Sequence, residues 1–281
     1  MGRCEHLPEL TRWHFFGEIA TNNALLLEVN EGVALITLNR PAQKNALDTA
    51  MREAIEATLP RLRDDASIKA VVMRGAGDAF CAGGDVAGML DPALKGAAWR
   101  DRLRALNRWF GELVNLEKPL IAAVDGPAFG AGFSLVLAAD FVVATPRAKF
   151  CAVFGRIGLV PDLGAMYLLP RAVGLQRAKE IVFTTRVLVA DEAKALGIVY
   201  EIVPPEELQA HALALAARFR GAATGALGMA KTIMNQSFQL DRHAMAELEA
   251  YAQTVCRDTA HHHEAVQRFA DKQPPLFSWD R

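Results

Sequence analysis

Between Pro119 and Asp162 lies the stretch that most limits what this chain can fold into, PLIAAVDGPAFGAGFSLVLAADFVVATPRAKFCAVFGRIGLVPD. Leu120 to Val124 is an apolar run of strand length, and Asp125-Gly126-Pro127 after it is a turn sequence. Gly130-Ala131-Gly132 follows, and then residues 133–139, apolar and without Pro or Gly. The order is strand, tight turn, glycine-rich loop, buried helix. A helix start leaves backbone N–H groups without partners and carries partial positive charge. Such a junction can hold a phosphate, or an oxygen that turns negative during a reaction. The glycine spacing is neither a P-loop nor a complete G-x-G-x-x-G, and alone such a turn is more often close packing than a site. A second small-residue turn, Phe80-Cys81-Ala82-Gly83-Gly84-Asp85, also follows a strand, residues 69–74. Two such turns can each bring one N–H to the same oxygen, as an acyl-transfer or enolate site requires.

These segments carry a family resemblance. F-C-A-G-G-D, D-G-P-A-F-G-A-G and G-L-V-P-D-L-G, with N-R-P-x-x-x-N-A-L from Asn39 to Leu47 and E-A-V-x-x-F-x-x-K from Glu264 to Lys272, resemble the crotonase superfamily. This is the enoyl-CoA hydratase and isomerase fold. The likeness runs from about residue 25 to the C-terminus. It implies an α/β chain: an N-terminal extension over 1–20, a spiral of ββα units over 21–203, and a C-terminal helical layer over 204–281. That layer packs on the core and on neighbouring subunits, giving a homotrimer or a dimer of trimers. The resemblance places the two oxyanion-hole amides on Gly84 and Ala131. It makes coenzyme A part of an acyl-CoA thioester substrate, not a separate cofactor. It sets Lys44, Ala82, Gly84, Asp85, Val86, Ala87 and Ala131 against the coenzyme A ester, with the Lys44 region and the segment from Gly84 to Ala87 meeting the nucleotide and pantetheine parts.

Composition bounds the remaining classes. The 281 residues suffice for one large domain or two small ones. The net charge of −1 gives no electrostatic case for nucleic acid. No apolar run reaches the roughly 18 residues of a membrane span, and the first twenty residues, broken by charges and Pro8, show no signal-peptide pattern. Cys4, Cys81, Cys151 and Cys256 are scattered and lack metal spacing, so they read as reduced thiols of a cytoplasmic protein. His261-His262-His263 lies within a helical pattern, where three consecutive side chains point in different directions; a solvated face accounts for it and no metal site is expected.

Local patterns set the elements. Residues 25–38 predict two paired strands around Asn30-Glu31-Gly32. Residues 48–63 predict a helix with Met51, Ile55 and Leu59 on one face and Asp48 as N-cap. Residues 91–114 form a longer amphipathic stretch, whose stripe of Trp99, Leu103, Leu106 and Phe110 reads as core and not as a cofactor box; residues 91–109 are also expected to build much of the acyl pocket, without a motif that names the acyl group. Strands are expected at 141–144, 150–154 and 198–203, and helices at 163–169, 175–184 and 190–196, the last stopped by Gly197. From Glu206 onward the pattern is helical, with breaks near 221–225 and 241.

The chemistry turns on which acid or base stands over a polarised thioester. Related hydratases use two glutamates, and the resemblance puts their positions on Ser134 and Phe154, so neither carboxylate is present. Asp162 offers one instead. P-D-x-G with non-acidic residues at both glutamate positions resembles the phenylacetate-pathway type of ring-modified enoyl-CoA isomerase. Asp162 also reads as an N-cap for the helix after it; a pocket with Phe129 and Phe154 would raise its pKa by desolvation. Asp85 is expected to fix the first loop, Asp140 to be structural, Cys81 to be filler, and Ser134 to lack the base a nucleophile needs. Three readings follow: a double-bond isomerase or related lyase, a hydrolase such as an aryl-CoA dehalogenase with Asp162 as nucleophile, and a non-catalytic acyl-CoA-binding protein.

Overall fold

Strands β1 (Leu25–Asn30) and β2 (Val33–Leu38) pair antiparallel around Glu31 and Gly32, whose φ angles of 44° and 81° are those of a two-residue hairpin turn. The structure is a computed structural model describing residues 23–86, 88, 90–91 and 95–279. The expected extension over 1–20 and Ala87 lie outside the described residues.

From β2 the chain repeats one pattern: a strand in a large sheet, a short strand or bridge on a smaller one, then a helix. The first turn is β2, a bridge at Leu47, and α1 (Thr49–Asp64). The second is β3 (Ala70–Gly75), bridges at Cys81 and Gly84, and α2 (Ala97–Val114). The third is β4 (Leu120–Val124), β5 (Pro127–Phe129) and α3 (Ala131–Leu137). The fourth is β6 (Phe141–Ala144), β7 (Lys149–Cys151), a 3-10 turn over Val153–Ile157, and α4 (Ala165–Val173) with α5 (Leu175–Thr184). Then β8 (Leu188–Val189), α6 (Ala190–Ala195) and β9 (Glu201–Ile202) close the sheets. The large sheet runs β1-β2-β3-β4-β6-β9, parallel from β2 onward, and the small one β5-β7-β8.

The large sheet is buried on both faces, as parallel sheets are. Side chains alternate along its strands. In β4, Leu120, Ala122 and Val124 join the core cluster that holds Met51, Ile55 and Leu59 of α1, whereas Ile121 and Ala123 join the cluster beneath α7 (Leu208–Ala217). Asp48 caps α1 by accepting from Met51 N at 2.8 Å, as its position predicts. After α7 come α8 (Thr224–Met234), α9 (Arg242–Arg257) and α10 (Ala260–Ala270); the last two bury no residue.

Four expectations need correction. The strand at 150–154 stops at Cys151 and gives way to the 3-10 turn. The strand at 198–203 pairs only over Glu201–Ile202. The helix expected from Leu163 starts at Ala165, because Leu163 and Gly164 both hold positive φ, 44° and 67°. The amphipathic stretch that begins at 91 becomes helical at Ala97.

Candidate active site

The repeat brings the two glycine-rich loops side by side, since each follows the second segment of consecutive turns. Cys81 N donates to Pro127 O at 3.0 Å and Phe129 N to Cys81 O at 2.9 Å. On the other side Leu47 N donates to Gly83 O at 2.8 Å, and Gly130 N to Cys151 O at 2.8 Å. The contact requires glycine: a Cβ at Gly132 would lie 2.3 Å from Cys81 O, and one at Gly83, where φ is 108°, 2.9 Å from Phe129 O and 3.6 Å from Ala131 N. Within this network the amides of Gly84 and Ala131 donate to no carbonyl or side chain among the described residues. Ala131 is the first residue of α3, where helix geometry leaves the N–H without an internal acceptor. Both residues line one cavity of ≈260 Å³.

Asp162 lines the same cavity and is the one carboxylate among its described lining residues. It sits between buried Pro161 and the left-handed pair Leu163-Gly164. A Cβ on Gly164 would lie 2.7 Å from Phe110 Cε1, so the turn is pressed against α2. The N-cap expectation fails. Helix α4 has no side-chain cap, and it is the Asp162 carbonyl that accepts from Ala165 N, at 3.1 Å. The carboxylate Oδ1 is buried and accepts no hydrogen bond among the described residues. Burial pushes this carboxyl's pKa above its ordinary value, against the opposing pull of its own backbone amide and of Arg102.

At the two positions where related hydratases carry glutamate, the cavity has no acid. Phe154 forms part of the wall. Ser134 is fully buried, and its Oγ donates to the Asp162 carbonyl at 3.0 Å. Ala82 and Val86 line the cavity beside Gly84 and Ala131. Lys44 does not: its carbonyl accepts from Ala82 N at 2.8 Å, and its left-handed backbone shapes the loop. Asp85 also stays out of the lining, its Oδ2 lying 3.5 Å from Arg40, which holds Asp48 at 3.1 Å and donates to Ala46 O at 2.7 Å. Asp140 accepts from Leu120 N and Lys231 Nζ, both at 2.8 Å, a structural tie. Cys81 is fully buried, with its thiol pushed up to about 12 by burial, so it packs. His261 contacts Gly221 O, and the described residues hold no cluster suited to a metal ion.

Trp99, Leu103 and Leu106 line the cavity, as the expectation of a pocket built from 91–109 requires, so the core reading of that stripe holds only in part: Phe110 is buried, and Leu106 also packs on the core. Sequence reasoning missed two features. Arg52 and Arg102 also line the cavity, and nothing in a helical pattern separates a pocket-facing arginine from a solvated one. Asn45 is fully buried: it accepts from Arg40 N at 2.9 Å and donates to Ala76 O and Ala79 O at 2.8 and 2.7 Å, tying the first turn to the loop that leads to Gly84.

Comparison with known proteins agrees with this geometry. The family described as enoyl-CoA hydratase/isomerase matches residues 28–280. A probable enoyl-CoA hydratase of Rhodobacter capsulatus is 37% identical over 89% of this chain and 96% of its own length. The 1,2-epoxyphenylacetyl-CoA isomerase of Escherichia coli is 34% identical over 90% of this chain and 98% of its own. The crystal structure of an enoyl-CoA hydratase/isomerase from Cupriavidus metallidurans superposes with a TM-score of 0.87 at 43% identity, covering 91% of this chain and 96% of that one. The chain belongs to the enoyl-CoA hydratase/isomerase family, within the crotonase superfamily, and is an acyl-CoA enzyme of that family.

Proposed function

We propose that the protein shifts the carbon–carbon double bond of an enoyl-CoA thioester. The amides of Gly84 and Ala131 hold the thioester oxygen, and Asp162 moves the proton. The observation that carries this reading is the half-buried Asp162, the single carboxylate among the described lining residues, with a raised pKa and one buried, unpaired oxygen, in a cavity whose lining supplies two free amides. Each such amide is worth about 3–4 kcal/mol of barrier when aimed at a developing oxyanion. Asp162 as carboxylate takes a proton from one carbon; the electron pair delocalises onto the thioester oxygen as a dienolate; the carboxylic acid returns that proton two carbons away. Atoms and charge balance with no second acid. Hydration needs one group to activate water and another to serve the α-carbon, and Ser134 and Phe154 supply neither. The E. coli isomerase supports the same class of chemistry by its likeness.

Coenzyme A enters this reading as part of the substrate, with Ala82, Gly84 and Val86 along the acyl-thioester end and no separate cofactor. We further propose a homotrimer or a dimer of trimers in the cytoplasm, because α9 and α10 bury nothing while Tyr251, Val255, Val266 and Phe269 stand exposed on them. The function is tested by incubating the enzyme in D₂O with a β,γ-unsaturated hexenoyl-CoA and following mass and double-bond position. Deuterium at the exchangeable carbons with appearance of the conjugated isomer is expected. Net addition of water without isomerisation, or a covalent adduct on Asp162, refutes it.

A further inference from the structure

Asp162 is presented by a turn that sequence-local forces do not favour. Leu163, a branched residue, holds φ at 44°, and Gly164 holds 67°. A left-handed non-glycine residue persists only where its surroundings over-determine it. Pro161 and Leu163 are both buried, and Gly164 abuts Phe110 of α2. On the opposite side the one side-chain bond to the turn among the described residues is that of Ser134 on α3, whose Oγ donates to the Asp162 carbonyl at 3.0 Å while Ala165 N donates to the same oxygen at 3.1 Å. Ser134 is fully buried, and the other acceptor near its hydroxyl is Gly130 O at 3.5 Å. Helix α3 therefore carries two things three residues apart: Ala131, whose amide faces no protein acceptor among the described residues, and the hydroxyl that fixes the peptide of the acid.

We propose that Ser134 is a positioning residue: it sets the distance between the oxyanion hole and the Asp162 carboxylate by clamping the Asp162 carbonyl to α3. The inference rests on the proposed role of Asp162 as the base. A serine here is more than a gap left by a missing acid. It uses a fully buried helix position as an anchor for an acid supplied by another element. Arg102 on α2 and Arg52 on α1 are the other charged groups lining the cavity, and neither bonds to this turn. The clamp thus acts through hydrogen bonding and geometry, not charge.

The test is a double-mutant cycle with Ser134→Ala and Asp162→Asn, read by isomerisation of a β,γ-unsaturated hexenoyl-CoA. A base displaced by even an ångström loses much of its advantage, so Ser134→Ala should lower kcat ~10-fold or more with KM changed less than about two-fold. The freed turn lets the carboxyl reach water, so the acid limb of kcat/KM should move to lower pH. In the Asp162→Asn background the same change should cost less than about two-fold, because its partner in the effect is gone. Ser134→Cys keeps the buried volume with a weaker donor and should fall between Ala and wild type; it serves if the alanine protein does not fold. Ser134→Ala as fast as wild type, or equally damaging with and without Asp162, overturns the positioning role while a slow Asp162→Asn leaves the base intact. An Asp162→Asn enzyme as fast as wild type overturns the base and the clamp together.

Discussion

Asp162→Asn should make the protein slower and more stable at once, with the stability gain present only above acidic pH. The carboxylate Oδ1 is buried without a partner among the described residues, and desolvation raises the group's pKa. A folded-state pKa above the unfolded one means that the folded protein binds the proton more tightly. The favourable contribution is complete below the unfolded value of ~4 and is lost as pH rises through the folded value. At neutral pH wild type therefore holds an ionised group where the neutral form is preferred. Asparagine leaves that acceptor unpaired but neutral; a buried group without a partner costs about 1–3 kcal/mol and more when charged, so removing the charge from a half-buried group is worth about 1 kcal/mol. For a chain of this length that is about 2 °C in melting midpoint. Asparagine keeps the shape and removes both the charge and the base, so turnover should fall by ~10²–10⁴. Differential scanning fluorimetry of both proteins across the acid-to-neutral range, beside isomerase assays, reads the two effects. A midpoint difference independent of pH, or wild type the more stable at neutral pH, refutes the assignment of Asp162 as an unpaired buried acid. Equal turnover refutes its role as base.

Two further outcomes are expected. Ala131→Pro removes the amide at the first residue of α3, a position where proline is tolerated; turnover should drop by ~10²–10³ with circular dichroism unchanged, and full turnover in the folded variant removes Ala131 from the oxyanion hole. Analytical ultracentrifugation at micromolar protein should show a trimer or hexamer, since Phe269 and Tyr251 are 87% and 68% exposed in the single chain; a monomer refutes the assembly.

Where local chemistry decides structure, the chain could be read directly. The hairpin at Glu31-Gly32, the Asp48 cap and the stop at Gly197 each depend on one or two residues, and each forms as its residues dictate. The oxyanion loops were placed by motif and by the need for glycine where backbones touch. The rest depended on contacts between distant turns. Asp162 fits a helix cap by spacing, yet the left-handed pair after it moves the helix start to Ala165, a strain held by Phe110 fifty residues earlier. Trp99, Leu103 and Leu106 carry core periodicity because a pocket wall and a core face have the same apolar stripe. Asn45 looks like any turn asparagine, and only its burial against Ala76 and Ala79 shows it to be a knot between turns.

The two halves of the site are held by different kinds of force, and this bears on how its chemistry is set. The amides of Gly84 and Ala131 belong to the backbone of consecutive turns of one repeat, fixed by the Cys81–Ala128 and Leu47–Gly84 bridges and by the closeness of Gly132 to Cys81. No side chain at those positions enters, so the placement of the two amides rests on backbone contacts alone. The acid half is a side chain, and positions 134, 154 and 162 all reach this region from different elements: α3, the 3-10 turn and the turn before α4. In this chain the acid stands at 162, position 154 is wall, and position 134 spends its hydroxyl on the carbonyl of the acid itself. A single carboxylate placed this way can serve two carbons of one substrate in succession, but it cannot hold a water and a proton at the same time. Under the proposed function, the number of acids in the cavity separates a proton shift from hydration, while the fold and the two free amides are common to both.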